Sequence, residues 1–169
     1  MSLCLISVQK VFAQEISTSP AVLNVQYDLP YAGILPDNPL YFLKALRDNA
    51  LNLLIMDPLK KANYNLLMAD KRLGAASMLL DKGKLDLAIT TLSKSGNYFY
   101  LAIQQVADAK KQGENTDEIL SKLLMASLKH QQVIFRMEEK TKGDARRVLE
   151  VSQKRAEDFQ KSVEELKAK

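Results

Sequence analysis

The sequence predicts an all-α protein: an up-down antiparallel bundle of about four long helices, preceded by a shorter helix and an extended leader. Three observations carry this. Apolar and small residues recur with 3-4 spacing through segments far longer than a strand. Gly83, Gly113 and Gly143 fall 30 residues apart, and each suits a left-handed helix end. The chain has no Trp, only six Gly and five Pro, and most of these Gly and Pro stand at segment boundaries.

Residues 1–13, MSLCLISVQKVFA, read as the second half of a secretory signal, with small or β-branched residues before a cleavage point at Gln14. Two features depart from that pattern: there is no basic start, and Lys10 interrupts the run. The other reading is an N-terminal segment of a cytosolic protein. Cys4 is the single cysteine, so no disulfide forms within the chain, and no hydrophobic region precedes it as a lipidation site needs. The run is too short to span a bilayer. Residues 14–35 form a leader, polar at first and then alternating from Val22 to Leu29. With no second strand to pair with, it cannot form a sheet and is expected either to lie along the helices as a strap or to be disordered.

The single helical domain is expected over residues 36–169. Pro36 biases Leu35 away from helix, Asn38 is a capping type, and Pro39 fits a first helical position. Helix 1 is expected from Pro39 to Met56, with Leu40, Leu43, Ala50 and Leu54 as its stripe, widened by Leu46 and Leu51. Asp57 and Pro58 restart the chain as N-cap and first position. Helix 2 carries the seam Leu59, Ala62, Leu66, Ala69, Leu73, Ala76 and Leu80, with Gly74 beside it admitting a close neighbour. Helix 3 continues the rhythm through Leu85, Ala88, Leu92, Ser95, Phe99, Ala102, Val106 and Ala109. Gly96-Asn97 resembles a break, but the register holds across it, so one helix is expected. Helix 4 starts at Thr116 as N-cap and runs through Ile119, Leu123, Ala126, His130, Val133 and Met137. Helix 5 follows Gly143, with Asp144 as its cap. Equal glycine spacing implies helices of ~25 residues, or ~37 Å, joined by short turns as antiparallel neighbours. Helix 1 and the leader are placed outside the core of helices 2 to 5. The hairpin AASMLLDKGKLDLA also resembles one tetratricopeptide-type unit, but the motif is not repeated.

The chemistry-bearing residues are sparse. His130 is the only histidine, so zinc sites and nucleophilic triads lack their parts. There is no phosphate-binding glycine loop. Met56, Met68, Met78, Met125 and Met137 are scattered, as packing residues are. Glu138-Glu139 and Glu164-Glu165 sit among lysines as solvated faces. No cofactor and no enzymatic activity is expected. The 24 basic and 20 acidic residues are interspersed, which argues against a nucleic-acid stripe, and the net +4 suits an anionic surface.

Two sets of residues are candidates for binding. Ile34 and Leu35, bracketed by Gly33 and Pro36, form an apolar plug with Tyr41 near it; this is either a tight turn with a cap or a docking element. Tyr98 and Tyr100 flank Phe99 and are either part of a wide buried face or an aromatic patch for a partner or glycan.

The stretch LPYAGILPDNPLYFLK resembles the opening of an uncharacterised family of bacterial extracytoplasmic helical domains, whose members read roughly LPYPGLLPDSPLYPLK. The matching residues are Leu29, Pro30, Tyr31, Gly33, Leu35, Pro36, Asp37, Pro39, Leu40, Tyr41, Leu43 and Lys44. The resemblance runs from about Val25 to Ala109; Ala32 and Phe42 stand where prolines are common. It implies a helical fold and an extracytoplasmic, secreted or envelope-associated location, and no activity. The expected function is a non-enzymatic exported module that binds another envelope protein or an anionic surface polymer. The alternative is a periplasmic stress chaperone or metal-responsive adaptor.

Overall fold

The structure is a computed structural model that describes residues 25–168. The signal-like run, Cys4, Gln14 and the first part of the leader lie outside the described residues. Among the described residues there are five helices and no strand: α1 (Tyr41–Leu54), α2 (Pro58–Asp81), α3 (Leu85–Lys111), α4 (Asp117–Glu139) and α5 (Gly143–Ala168). The four long helices have 24, 27, 23 and 26 residues, the matched lengths that the glycine spacing implies.

The expected seams are the core. Ala62, Leu66, Ala69, Leu73 and Ala76 of α2 are buried, as are Ala88, Leu92, Ser95, Phe99, Ala102, Val106 and Ala109 of α3. From α4 come Ile119, Leu123, Ala126, His130 and Met137, and from α5 Leu149, Ala156, Phe159 and Val163. α3 is continuous through Gly96 and Asn97.

Consecutive long helices alternate in direction. α2 packs on α3 and α4 on α5; α3 then lies beside α5 and α2 beside α4, while α3 and α4 barely touch. Side-chain bonds give the directions. Lys110 near the end of α3 donates to the Leu166 carbonyl near the end of α5 at 2.6 Å, and Lys140 past α4 reaches Asp81 at the end of α2 at 2.7 Å. The side-by-side pairs α3/α5 and α2/α4 are therefore parallel, and the α3–α4 turn crosses the bundle diagonally.

The helix ends follow local chemistry. Asp57 caps α2 by accepting the Lys60 N–H at 2.7 Å, with Pro58 in the first turn. Gly83 (φ +73°) and Gly113 (φ +80°) close α2 and α3 in the left-handed conformation. Lys84 N–H reaches the Leu79 carbonyl and Glu114 N–H the Ala109 carbonyl, the long bond of a Schellman motif in each case. Gly143 has positive φ too, at +65°, but it does not end a helix: α4 stops at Glu139 and Gly143 is the first residue of α5. Asp144 is accordingly inside the first turn and not its cap. Thr116 stands at the N-cap position of α4, but its buried side chain makes no capping bond; Asn115 Oδ1 accepts the Asp117 N–H instead, at 3.0 Å. Pro39 and Leu40 are in a turn, so α1 begins two residues later than expected and ends at Leu54.

Two expectations about the periphery need correction. The strap is part of the core. Val25 is buried, and Tyr27 and Leu29 pack against the two main core clusters. The expected inward stripe of α1 is not inward. Leu40, Leu43, Leu46, Leu51 and Leu54 of the α1 region are exposed, and Asp48 is the buried residue of the helix. The four seams of α2 to α5 already fill one another, which leaves α1 a narrow footing on α2 and on no other helix.

Candidate functional site

The strap–α1 junction is built by the residues of the LPDNPLYFLK stretch. Gly33 turns the chain at φ +71°. Leu35 follows, buried against Ala32 and Ala75 in a small apolar cluster. Asp37 accepts from Lys84 at 2.9 Å and Lys82 at 3.1 Å, which ties the junction to the α2–α3 turn. Those two hydrogen bonds hold its carboxyl below the usual range. Asn38 Oδ1 accepts the Leu40 N–H at 2.9 Å, so it satisfies a donor just ahead of α1. Lys44 then reaches back from α1 and donates to the Ala32 and Ile34 carbonyls at 2.6 and 3.1 Å. Burial, aided by the nearby cations Arg72, Lys71 and Arg47, pushes the Lys44 ammonium down, against the pull of Asp48.

The same residues shape a groove of about 520 Å³. Tyr31, Ile34, Leu40 and Leu43 give it an apolar surface, and Lys44, Arg47 and Lys71 rim it. Ile34 is exposed within it; Tyr41 is half-buried beside it, its ring 5.6 Å from the Lys44 Nζ. The apolar surface continues along α1, where Leu46 is 66% exposed, Leu53 78% and Leu54 75%, and on to Met56. Monomeric surfaces rarely carry so many large apolar side chains on one helix. α1 is held in place by the Tyr64 hydroxyl, which donates to the Asp48 carbonyl at 2.7 Å.

Tyr98 and Tyr100 do not line this groove. Tyr98 packs against the core with the Arg72 guanidinium 4.2 Å from its ring centre. Tyr100 is exposed, and its hydroxyl accepts from Gln104 at 2.9 Å. Glu138 departs from its expected place on a solvated face: it is buried. Burial raises its carboxyl, Glu150 adds to that, and Arg146 opposes it.

Sequence spacing missed a polar chain in the interior. The Tyr27 hydroxyl donates to Asp70 Oδ2 at 2.6 Å, and His130 Nε2 lies 2.8 Å from Asp70 Oδ1. Strap, α2 and α4 thus meet on one carboxylate. Phe99 packs edge-on against His130 at 4.8 Å and stacks on Phe159 at 5.0 Å. Burial, and then the bond to Asp70, pushes the Tyr27 phenol far up. His130 on a seam is the only sequence signal for this cluster, because its partners are 60 and 103 positions away.

These features define a helical bundle clasped by an N-terminal strap, with an apolar short helix displayed on one side. Residues 33–169 match the family described as "Domain of unknown function (DUF5667)", and the chain belongs to that family. Comparison with curated proteins and with solved structures returned no match. Among the described residues no helix is long and apolar enough to cross a membrane, and no group of three or more His, Cys, Asp or Glu is placed to hold a metal ion.

Proposed function

We propose that this chain is a non-enzymatic, exported helical module that binds another protein of the cell envelope through α1 and the adjoining groove. The observation behind this is the exposed apolar surface of α1, which runs from Ile34 and Leu43 to Leu54 on a helix with little footing on its own bundle. Burying those leucines is worth ~25 cal/mol per Å², and the fold itself leaves that contribution to a partner. Ile34 and Tyr41 contribute to this surface, and Leu35 anchors it from below. The signal-like run at residues 1–13 and the resemblance of the opening stretch support an extracytoplasmic location. The rim of Lys44, Arg47 and Lys71 suits a partner with acidic residues, and an anionic surface polymer is the variant of this reading that the same cations favour.

A photo-crosslinking residue at Leu46, with one at Tyr100 as control, tests the proposal in an intact bacterium. The expected result is one discrete adduct with an envelope protein from position 46, lost in a Leu53→Glu variant. A ladder of many unfolded clients would favour the periplasmic chaperone reading instead. Adducts with cytosolic proteins alone would overturn the location and the function together.

A further inference from the structure

A cavity of about 190 Å³ lies between α3 and α5, on a different face from α1. Leu92, Ile134, Ala156 and Phe159 are buried and form its apolar wall; His130 lies among them. Val148 and Val151 are exposed and mark its mouth. A cavity of about 150 Å³ lined by Leu, Ile and Phe holds one benzene molecule; this one, which Ser93, Ser95 and Ser152 also line, has room for a single ring and a small substituent.

The mouth carries one cation, Arg155. Its seat explains the glycine in the middle of α3. A helical glycine costs ~1 kcal/mol relative to alanine, and Gly96 holds no turn. A Cβ on Gly96 would lie 3.0 Å from Arg155 Nη1 and 3.3 Å from its Cζ. The next residue, Asn97, accepts from Arg155 Nη2 at 3.0 Å. Gly96 supplies the space and Asn97 the bond that hold the guanidinium, and Phe159 lies under it with its ring centre 5.3 Å from Cζ. The other arginines of α5 are spent on carboxylates of the same helix: Arg146 pairs with Glu150 and Arg147 with Asp144. Among the described residues Arg155 has no such ion pair. Its remaining N–H donors match the fork of a carboxylate.

We propose that the α3–α5 cavity binds a small monocyclic aromatic carboxylate, its ring against Phe159 and Ile134 and its carboxylate on Arg155. An apolar chamber with one fixed cation at the lip selects an amphiphilic anion over both a neutral ring and a small inorganic ion. The site is independent of the α1 surface.

Titration of the full chain with benzoate, followed by NMR, tests this, with benzyl alcohol as the neutral isostere. The expected result is a saturable shift at the Gly96 amide and the Ile134 methyls, with benzyl alcohol about tenfold weaker or more. Arg155→Gln should lower benzoate affinity by about tenfold or more, and Gly96→Ala should do likewise by displacing the guanidinium. Saturation that is absent at millimolar benzoate, equal binding of the two probes, or an Arg155→Gln variant that keeps full affinity would each overturn the proposal. The comparison of the two probes on the unaltered chain decides the matter even if both variants fold poorly.

Discussion

Tyr27 of the strap donates its phenolic hydrogen to Asp70 of α2 across 2.6 Å, and so fastens an extended segment to the interior of a helical bundle. The other oxygen of that carboxylate faces His130. Tyr27→Phe keeps the ring and removes the donor. A hydrogen bond to a charged group contributes roughly 1.5–3 kcal/mol, so urea unfolding should show a loss of that order. The pH dependence has a defined sign. The folded phenol titrates well above its unfolded value of ~10, so its contribution is complete below pH ~10 and is lost as pH rises beyond it. Stability of the wild type should therefore fall more steeply above pH ~10 than that of Tyr27→Phe. Parallel curves would show that the bond does not couple the strap to the core.

Removing the strap and α1 should destabilise the bundle. A chain beginning at Asp57 would expose the surface that Val25 and Tyr27 cover and leave an oxygen of Asp70 without its donor. Leu35→Ala in the whole chain should cost ~2 kcal/mol, the low end for such a truncation, because its cluster contains only two small partners, Ala32 and Ala75. Thermal melts followed by circular dichroism check both. An unchanged melting temperature for the shortened chain would mean that α2 to α5 need no cover.

Two glycines should respond in opposite senses. Gly74 is in a regular helix, and the nearest atom to an added Cβ is the Ala32 Cβ at 3.9 Å, an ordinary contact. Gly74→Ala should stabilise by ~0.5–1 kcal/mol. Gly83 has open space around it but φ of +73°, so Gly83→Ala should cost ~1 kcal/mol from backbone strain alone. Denaturant midpoints for the pair give the test, and a stabilising Gly83→Ala would contradict the left-handed assignment.

The bundle was legible because seam residues such as Leu66, Phe99 and Leu123 repeat at a period that only a helix satisfies. Periodicity does not identify the partner, however. The stripe of α1 has the same spacing as those seams and faces solvent, since nothing local distinguishes a leucine buried in its own chain from one awaiting another. The α3–α4 diagonal was hidden for the same reason: a short turn fixes direction and not which neighbour is adjacent. The meeting of Tyr27, Asp70 and His130 depends on three elements packing together, and no interval between these residues encodes it. Gly96-Asn97 was visible as an anomaly in a continuous register, but its reason, the Arg155 guanidinium, lies on another helix.

Glu138 is a buried acid in an unfavourable place. It is 6% exposed, its Oε1 has no hydrogen-bond partner among the described residues, and it stands next to the last residue of α4, where the negative end of the helix dipole opposes an anion. Burial first, and Glu150 second, raise its carboxyl above the usual range. A carboxyl raised in the folded state favours folding while it is protonated, below its unfolded value of ~4.3, and loses that contribution as pH rises through the folded value. Above the folded value the wild type therefore folds against a buried charge that Arg146 offsets only in part. Glu138→Gln removes that charge at nearly constant shape, so its melting temperature should exceed that of the wild type at pH 7. The gap should close as the pH drops toward 4, because the wild-type side chain is then neutral as well. A variant that is less stable at pH 7, by an amount that does not change with pH, would show instead that the carboxylate serves as an acceptor the fold requires.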